Sequence, residues 1–336
     1  MKALVTGATG LLGSHLIDLL VERGERPRAL VQPGDTAKRF AGAAVDARSG
    51  DVRDGAALEA AMRGVDYVLH CAARTGPWGP EDEYQSTNVD GLETLVRVAS
   101  AAGVRRVVHV SSITVHGNDI RGAADETAPL RAESNPYSRS KVAGERLLQR
   151  MIMDEGAPVT IVRPGCIYGP RDVASFARFA RMVRDGRMVI IGSGENHVPL
   201  IYVRDVAHGV LQAAETDCAA GRPYLLVSDE SVTQRDYLCA IAVEMGVPAP
   251  TRRIPYRLGL MVGAGFEIGA RLARRQQPPP VMRYGIQLLG GENRFTIERA
   301  RRELGFSPQV RLAEGVRRSI EWYRTAYGHA ARTRNG

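Results

Sequence analysis

The chain has 336 residues, 44% of them hydrophobic and 24% charged, enough apolar material for a substantial core, and this excludes disorder as the main state. The most membrane-like stretch, Leu258 to Phe266, is rich in glycine and stops at Glu267, so no membrane span is expected. The net charge of +8 belongs to the last quarter: residues 250–336 hold 17 Arg and 6 acids, whereas residues 1–249 hold 28 basic and 31 acidic side chains. That basic excess is not interleaved with aromatics or set in a helix-turn-helix, finger or RNA-binding motif, so a solvated face is expected and no nucleic-acid partner.

In chain order, short apolar runs alternate with longer helical stretches. Candidate strands are Lys2–Thr6, Pro27–Val31, Tyr67–Cys71, Arg106–Ser111 and Val159–Arg163, and candidate helices are Leu11–Arg23, Ala56–Arg63, Glu83–Ala102 and Tyr137–Glu155. The opening run has glycines at 7, 10 and 13 followed by His15 and Asp18, so it reads as a strand and not a signal peptide. After Pro164 come glycine-proline punctuation at Gly169-Pro170, a helix over Phe176–Arg184 and a strand-like Met188–Ile191. Tyr202–Ala214 and Pro223–Val227 look like a helix and strand returning to the main sheet. The expected organisation is α/β: a parallel sheet covered on both faces over residues 1–170 with 202–228 returning to it, a smaller discontinuous substrate lobe from 171–201 and 229–330, and a tail at 331–336. Cys71, Cys166, Cys218 and Cys239 form no C-x-x-C pair and have no histidine cluster nearby. Neither disulfides nor a metal site is expected, and the reading is of reduced thiols in a cytoplasmic protein.

Gly7-Ala8-Thr9-Gly10-Leu11-Leu12-Gly13 follows the first strand and opens the first helix. In that context the glycines permit a tight turn, close approach of backbone to a pyrophosphate and close packing of helix on strand, while the helix N-terminus offers N–H groups. The Gly-x-x-Gly-x-x-Gly spacing resembles the short-chain dehydrogenase/reductase superfamily in its extended branch, and the resemblance implies a Rossmann-type doubly wound sheet. It also implies that Asp51-Val52, after a third strand, contact adenine, that Cys71, Ala72 and Ala73 line the cofactor, that Pro164, Gly165 and Ile167 touch it, and that Asn88 orders a proton relay. Gln32 stands where related NADP enzymes often carry Arg, and Lys38 and Arg39 are near enough in sequence to meet a 2′-phosphate, so NADP(H) is the expected cofactor. Asp35 keeps NAD open, since NAD sites usually carry an acid there for the ribose hydroxyls.

Tyr137 and Lys141 lie one helical turn apart, and the chain has only three lysines (Lys2, Lys38 and Lys141). A lysine retained there fits an ammonium that lowers the pKa of a phenol so that it exchanges protons. Ser112 matches the family's catalytic hydroxyl, which hydrogen-bonds the substrate carbonyl; Ser111 beside it reads as structural. The expected reaction is hydride transfer between nicotinamide and a ketone or secondary alcohol.

Within the extended branch, Cys166 stands where sugar-nucleotide enzymes usually carry Asn and Val198 where they carry a diphosphate-binding Arg. Ile113 and Thr114 replace the Asp-Glu pair of sugar dehydratases. The segments 191–198, 76–79 and 298–306 instead resemble the 3β-hydroxysteroid dehydrogenase/isomerase family, with its decarboxylating sterol and 2-alkyl-3-oxoalkanoate reductase relatives; Pro199, where that family often has Asp, departs from it. An apolar substrate follows, with Trp78, Ser112, Thr114, Cys166 and Tyr168 as candidate contacts; for Trp78 and Tyr168 a plain core aromatic is the competing reading. A nucleotide-sugar epimerase or 4-ketoreductase is the enzyme alternative, and a non-catalytic nicotinamide-binding regulator the alternative from another class. Tyr256 to Arg275 carries an apolar face ending in Arg271, Arg274 and Arg275, which reads either as an ordinary packed helix or as a lid or membrane-surface helix. The resemblance also implies a homodimer built on helices near 83–102 and 137–155.

Overall fold

The opening run Ala3–Thr6 (β1) is buried at every position, as expected of a strand covered by helices on both faces. In the computed structural model, which describes residues 1–35, 40, 42–120 and 122–327, it leads into α1 (Leu11–Glu22), β2 (Arg28–Val31), β3 (Asp46–Ser49), α2 (Gly55–Met62) and β4 (Tyr67–His70). There follow α3 (Glu81–Gln85), α4 (Gly91–Ala101), β5 (Arg106–Val110), β6 (Ala123–Ala124), α5 (Pro136–Glu155), β7 (Val159–Pro164) and β8 (Cys166–Tyr168). The rest comprises α6 (Phe176–Arg184), β9 (Ile190–Ile191), β10 (Leu200–Tyr202), α7 (Val203–Glu215), β11 (Pro223–Leu226), α8 (Gln234–Met245) and β12 (Arg253–Ile254). The last elements are α9 (Tyr256–Leu272), α10 (Arg283–Gly290), β13 (Arg294–Phe295), α11 (Glu298–Leu304) and α12 (Leu312–Tyr327).

Seven strands form one sheet in the order β11-β7-β5-β4-β1-β2-β3, with every neighbouring pair parallel. The chain runs outward from β1 through β2 to β3, then crosses back to β4 on the other side of β1. That reversal opens a crevice at the carboxyl ends of β1 and β4, the place where open α/β sheets bind ligands. One apolar layer joins α1 and α7 to the sheet, and the opposite layer draws on α2, α4 and α5. A third core packs α6, α8 and α12 around Tyr168, Tyr202 and Tyr237.

The edge strand β3 has the polar sequence Asp-Ala-Arg-Ser, and its Asp46 accepts from both Arg28 and Arg48. The single helix expected over Glu83–Ala102 is divided into α3, a π-helical turn at Ser86–Asp90, and α4; π turns often mark functional sites, and this one holds Asn88. α5 starts as its sequence dictates, with the Asn135 side chain accepting from Ser138 N–H and Pro136 in the first turn, and ends at Gly156 with φ +65°.

α9 departs from the packed-helix reading. Its inward face is made of Gly259, Gly263, Glu267 and Ala270, and its large apolar residues, Leu258, Met261, Val262, Phe266, Ile268 and Leu272, point outward. Among the described residues no helix is long and apolar enough to cross a membrane.

Candidate active site

The glycine loop lies where the sheet reverses. Gly7 has φ +63°, and a Cβ there would come within 2.7 Å of Ala72 N; one at Gly13 would come within 2.1 Å of Gly7 O. Both positions therefore require glycine for a close approach, the first of loop to β4's exit and the second of helix to loop. Gly10 precedes α1 with no side-chain cap, so the first-turn N–H groups, at Leu11 and Leu12 and beyond, are left without a side-chain acceptor. A cradle of bare backbone at a helix N-terminus fits a dinucleotide pyrophosphate.

Around the cradle, Thr9 Oγ1 donates to Asp35 Oδ2 at 2.9 Å, which holds a carboxylate beside the loop. Gln32 Nε2 reaches Asp51 Oδ2 at 3.3 Å, and Arg53 grips the same carboxylate and keeps it below the usual carboxylate range. Val52 is buried against Gly91. Lys38 and Arg39, which carry part of the NADP(H) expectation, lie outside the described residues. Cys71 and Ala72 cross directly over Gly7, and Ala72 N–H donates to Thr6 Oγ1 at 3.2 Å; Ala73 comes next in the same half-buried stretch. On the far side, Gly165 sits so near Pro199 that a Cβ would come within 2.2 Å of its carbonyl oxygen. Pro164 ends β7, and Ile167 pairs with Ile201.

Tyr137 lies in the first turn of α5 and Lys141 in the next, with Lys141 Nζ 6.0 Å from the phenol ring centre. The ammonium donates to Val110 O at 2.8 Å. Burial pushes Tyr137 up to about 12, against a hydrogen bond from Ser112 that pulls it down. Burial also lowers Lys141 to about 8, against Glu145 and Cys71. Desolvation is the larger influence on the phenol in this geometry, and the ammonium faces a backbone carbonyl. Ser112 follows β5 and opens the 3₁₀ turn Ile113–His116, where its Oγ accepts from Thr114 N–H at 3.2 Å.

Asn88 is buried and held by its neighbours. Its Oδ1 accepts from Arg74 N–H at 2.7 Å, and its Nδ2 donates to Arg74 O at 2.9 Å and Ser140 Oγ at 2.8 Å, so it ties the loop after β4 to the residue preceding Lys141. Cys166 is half-buried, and its thiol is pushed up to about 12 by burial. Thr114 is buried with its hydroxyl unpartnered. Tyr168 is a correction to the substrate set: it lies in the third core, stacked on Phe176 and edge-on to Tyr202 and Tyr237. Trp78 is engaged with the C-terminal end of α9 and the turn after it, its ring lying under the Arg271 guanidinium and its Nε1 donating to Arg275 O at 3.1 Å.

Three groups emerge only from the structure. Glu145, one turn beyond Lys141, is fully buried and accepts from Ser111 Oγ and from Arg163 Nε and Nη2. The i, i+4 spacing from Lys141 could have singled it out. His70 and His109, on adjacent strands with ring centres 5.3 Å apart, are kept neutral by burial and by Lys141. Tyr284 on α10 has its phenol pushed up by burial, with Tyr137 and Cys166 adding to the rise; no motif marks it.

Sheet reversal, glycine cradle and a set of half-buried Ser112 and Tyr137 with buried Lys141 together define a dinucleotide-binding oxidoreductase of the extended short-chain dehydrogenase/reductase type. A model of the NAD dependent epimerase/dehydratase family matches residues 3–226, and the chain belongs to that family. It is 31% identical over 328 residues to a 2-alkyl-3-oxoalkanoate reductase of Stenotrophomonas maltophilia (strain K279a), covering 95% of this chain and 98% of the relative. It is 34% identical over 336 residues to sterol demethylase protein B of Methylococcus capsulatus, covering 96% and 98%. The crystal structure of gox2253 superimposes with a TM-score of 0.81 at 29% identity, covering 97% of this chain and 98% of that one. The protein is a nicotinamide-dependent enzyme acting on CH–OH and C=O groups.

Proposed function

We propose that the enzyme interconverts a ketone and a secondary alcohol on an apolar substrate, a sterol-like or 3-oxoacyl compound. The observation that carries this reading is the juxtaposition of Ser112, Tyr137 and Lys141 beside Cys166 and Tyr284, with Val198 buried in the third core where a sugar-nucleotide enzyme would need a cation for its diphosphate. The relatives named above act on oxoalkanoates or, by name, in sterol demethylation, which supports the same class. Residues 171–201 and 229–330 are the proposed substrate lobe.

The nicotinamide, when bound, supplies or accepts the hydride. Gly7, Gly10 and Gly13 hold the pyrophosphate against the N-terminus of α1, and Ala72, Ala73 and Gly165 bound its site. Ser112 Oγ hydrogen-bonds the substrate oxygen, and Tyr137 Oη gives or takes the proton at that oxygen. Lys141 holds positive charge one turn away, and Asn88 fixes the backbone that carries it.

For the cofactor, Gln32, Lys38 and Arg39 support NADP(H). Asp35, held by Thr9 beside the glycine loop, supports NAD(H), because a carboxylate accepts ribose hydroxyls and repels a 2′-phosphate. Held at the loop in this way, Asp35 carries the reading to NAD(H). A cytoplasmic setting with reduced thiols and a homodimer through the outer faces of α4 and α5 complete the proposal.

The test monitors reduced-cofactor absorbance with panels of steroids, 2-alkyl-3-oxo acids and nucleotide sugars, using NADH and NADPH in parallel. Turnover on an apolar ketone or alcohol with NADH preferred is expected. Tyr137→Phe should lower kcat by about 10²–10⁴-fold while still binding the dinucleotide. Near-normal turnover in that variant refutes the mechanism, turnover on nucleotide sugars alone refutes the substrate class, and a preference for NADPH refutes the role of Asp35.

A further inference from the structure

α9 is amphipathic in the opposite sense to a core helix. Gly259 and Gly263 let it approach α10 closely: a Cβ at Gly263 would come within 2.9 Å of Arg283 N. The one acid on the helix, Glu267, also points inward, accepting from Arg283 N–H at 2.8 Å and Nε at 3.0 Å. The outward face is left to Leu258, Met261, Val262, Phe266, Ile268 and Leu272, with Met261 71% and Leu272 81% exposed. At 100° per residue these positions fall on one side of a helix about 25 Å long. A continuous apolar stripe of that kind on the outside of a protein marks an interaction surface.

Its surroundings decide what it meets. Arg252, Arg253 and Arg257 lie at the N-terminal end of α9 and Arg271, Arg274 and Arg275 at the C-terminal end, all exposed. Among the described residues none of the six is ion-paired with a carboxylate, although most exposed arginines around α11 and α12 are. A second copy of the chain docking through this face about a two-fold axis would set arginine clusters against one another, a like-charge contact that opposes the dimer. A nucleic acid would leave the apolar centre in water. A surface with anionic groups outside and hydrocarbon beneath satisfies both parts at once.

We propose that α9 docks in plane on an anionic lipid bilayer, with its apolar stripe in the headgroup and acyl boundary and its terminal arginines on the lipid phosphates. Behind the stripe, α9 packs on α10 through Gly263 and Glu267. The docking itself stands on α9 alone and does not depend on the substrate reading.

The test is co-sedimentation of the full chain with vesicles of phosphatidylcholine, with and without phosphatidylglycerol, at low and high salt. Binding to the phosphatidylglycerol vesicles, weakened by salt, is expected. The double variant Met261→Glu/Phe266→Glu, with its circular dichroism and cofactor binding unchanged, should bind at least about tenfold more weakly. Arg252→Gln/Arg253→Gln/Arg257→Gln should also bind about tenfold more weakly, with less dependence on salt. Failure of the parent chain to sediment with either vesicle, or equal binding by parent and double variant, overturns the proposal. So does a dimer in light scattering that the double variant breaks while no vesicle is bound, because the stripe then belongs to a second copy.

Discussion

His70 and His109 are buried beneath Lys141, and burial with the nearby ammonium holds His70 down to about 3 and pushes His109 down as well. In the unfolded chain each titrates near its ordinary value of 6.5. As the pH falls below that value the unfolded chain takes up protons that the folded chain refuses. The stability these neutral rings contribute is therefore complete above 6.5 and is lost progressively as the pH falls below it. A melting temperature that falls steadily between about pH 6.5 and 4.5 is expected, and His109→Leu should flatten the fall. An unchanged slope in that variant places the acid sensitivity in other groups. His70 opens the His70-Cys71-Ala72-Ala73 segment and His109 is marked by no motif; their proximity exists only once β4 and β5 pair.

Between elements, the Glu145 carboxylate joins three pieces of the site. It sits on α5 one turn past Lys141, accepts from Ser111 beside Ser112, and pairs with Arg163 just before Pro164. Both partners of the ion pair are nearly inaccessible to water. Removing one member strands a buried charge, so Glu145→Ala should lower the unfolding free energy by about 3–5 kcal/mol. Urea denaturation measures it, and a loss below about 1 kcal/mol would mean that Arg163 finds another partner. The placing of Tyr137 and Lys141 on one face was legible because a helix fixes the geometry of residues four apart. The ion pair was not, because Arg163 is distant in sequence. α9 was legible as an apolar helix, but sequence periodicity does not reveal which face a neighbour covers, and here the glycines, not the large side chains, made the contact.

At the scale of the molecule, the sheet and the glycine turn could be read from the alternation of apolar runs and helices, since each βα unit is encoded locally. The substrate side was less legible: Tyr168 lies in an aromatic core, a place that depends on long-range packing of the C-terminal third. Assembly belongs to this scale too. Light scattering coupled to gel filtration should give twice the chain mass, with Arg146→Glu/Arg150→Glu on the exposed side of α5 returning the monomer; a monomer at micromolar concentration in the parent chain refutes pairing through α4 and α5.

The strand order has a consequence for synthesis. β7 is buried at every residue, hydrogen-bonded to β5 on one edge and to β11 on the other, yet β11 leaves the ribosome long after β7. Until Pro223–Leu226 arrives, the nascent chain carries a mostly apolar strand with one bare edge, open to pairing with any extended chain nearby. A polypeptide cut anywhere between Pro164 and Pro223 keeps that edge bare, so a fragment that carries the seven-stranded sheet intact extends through Leu226.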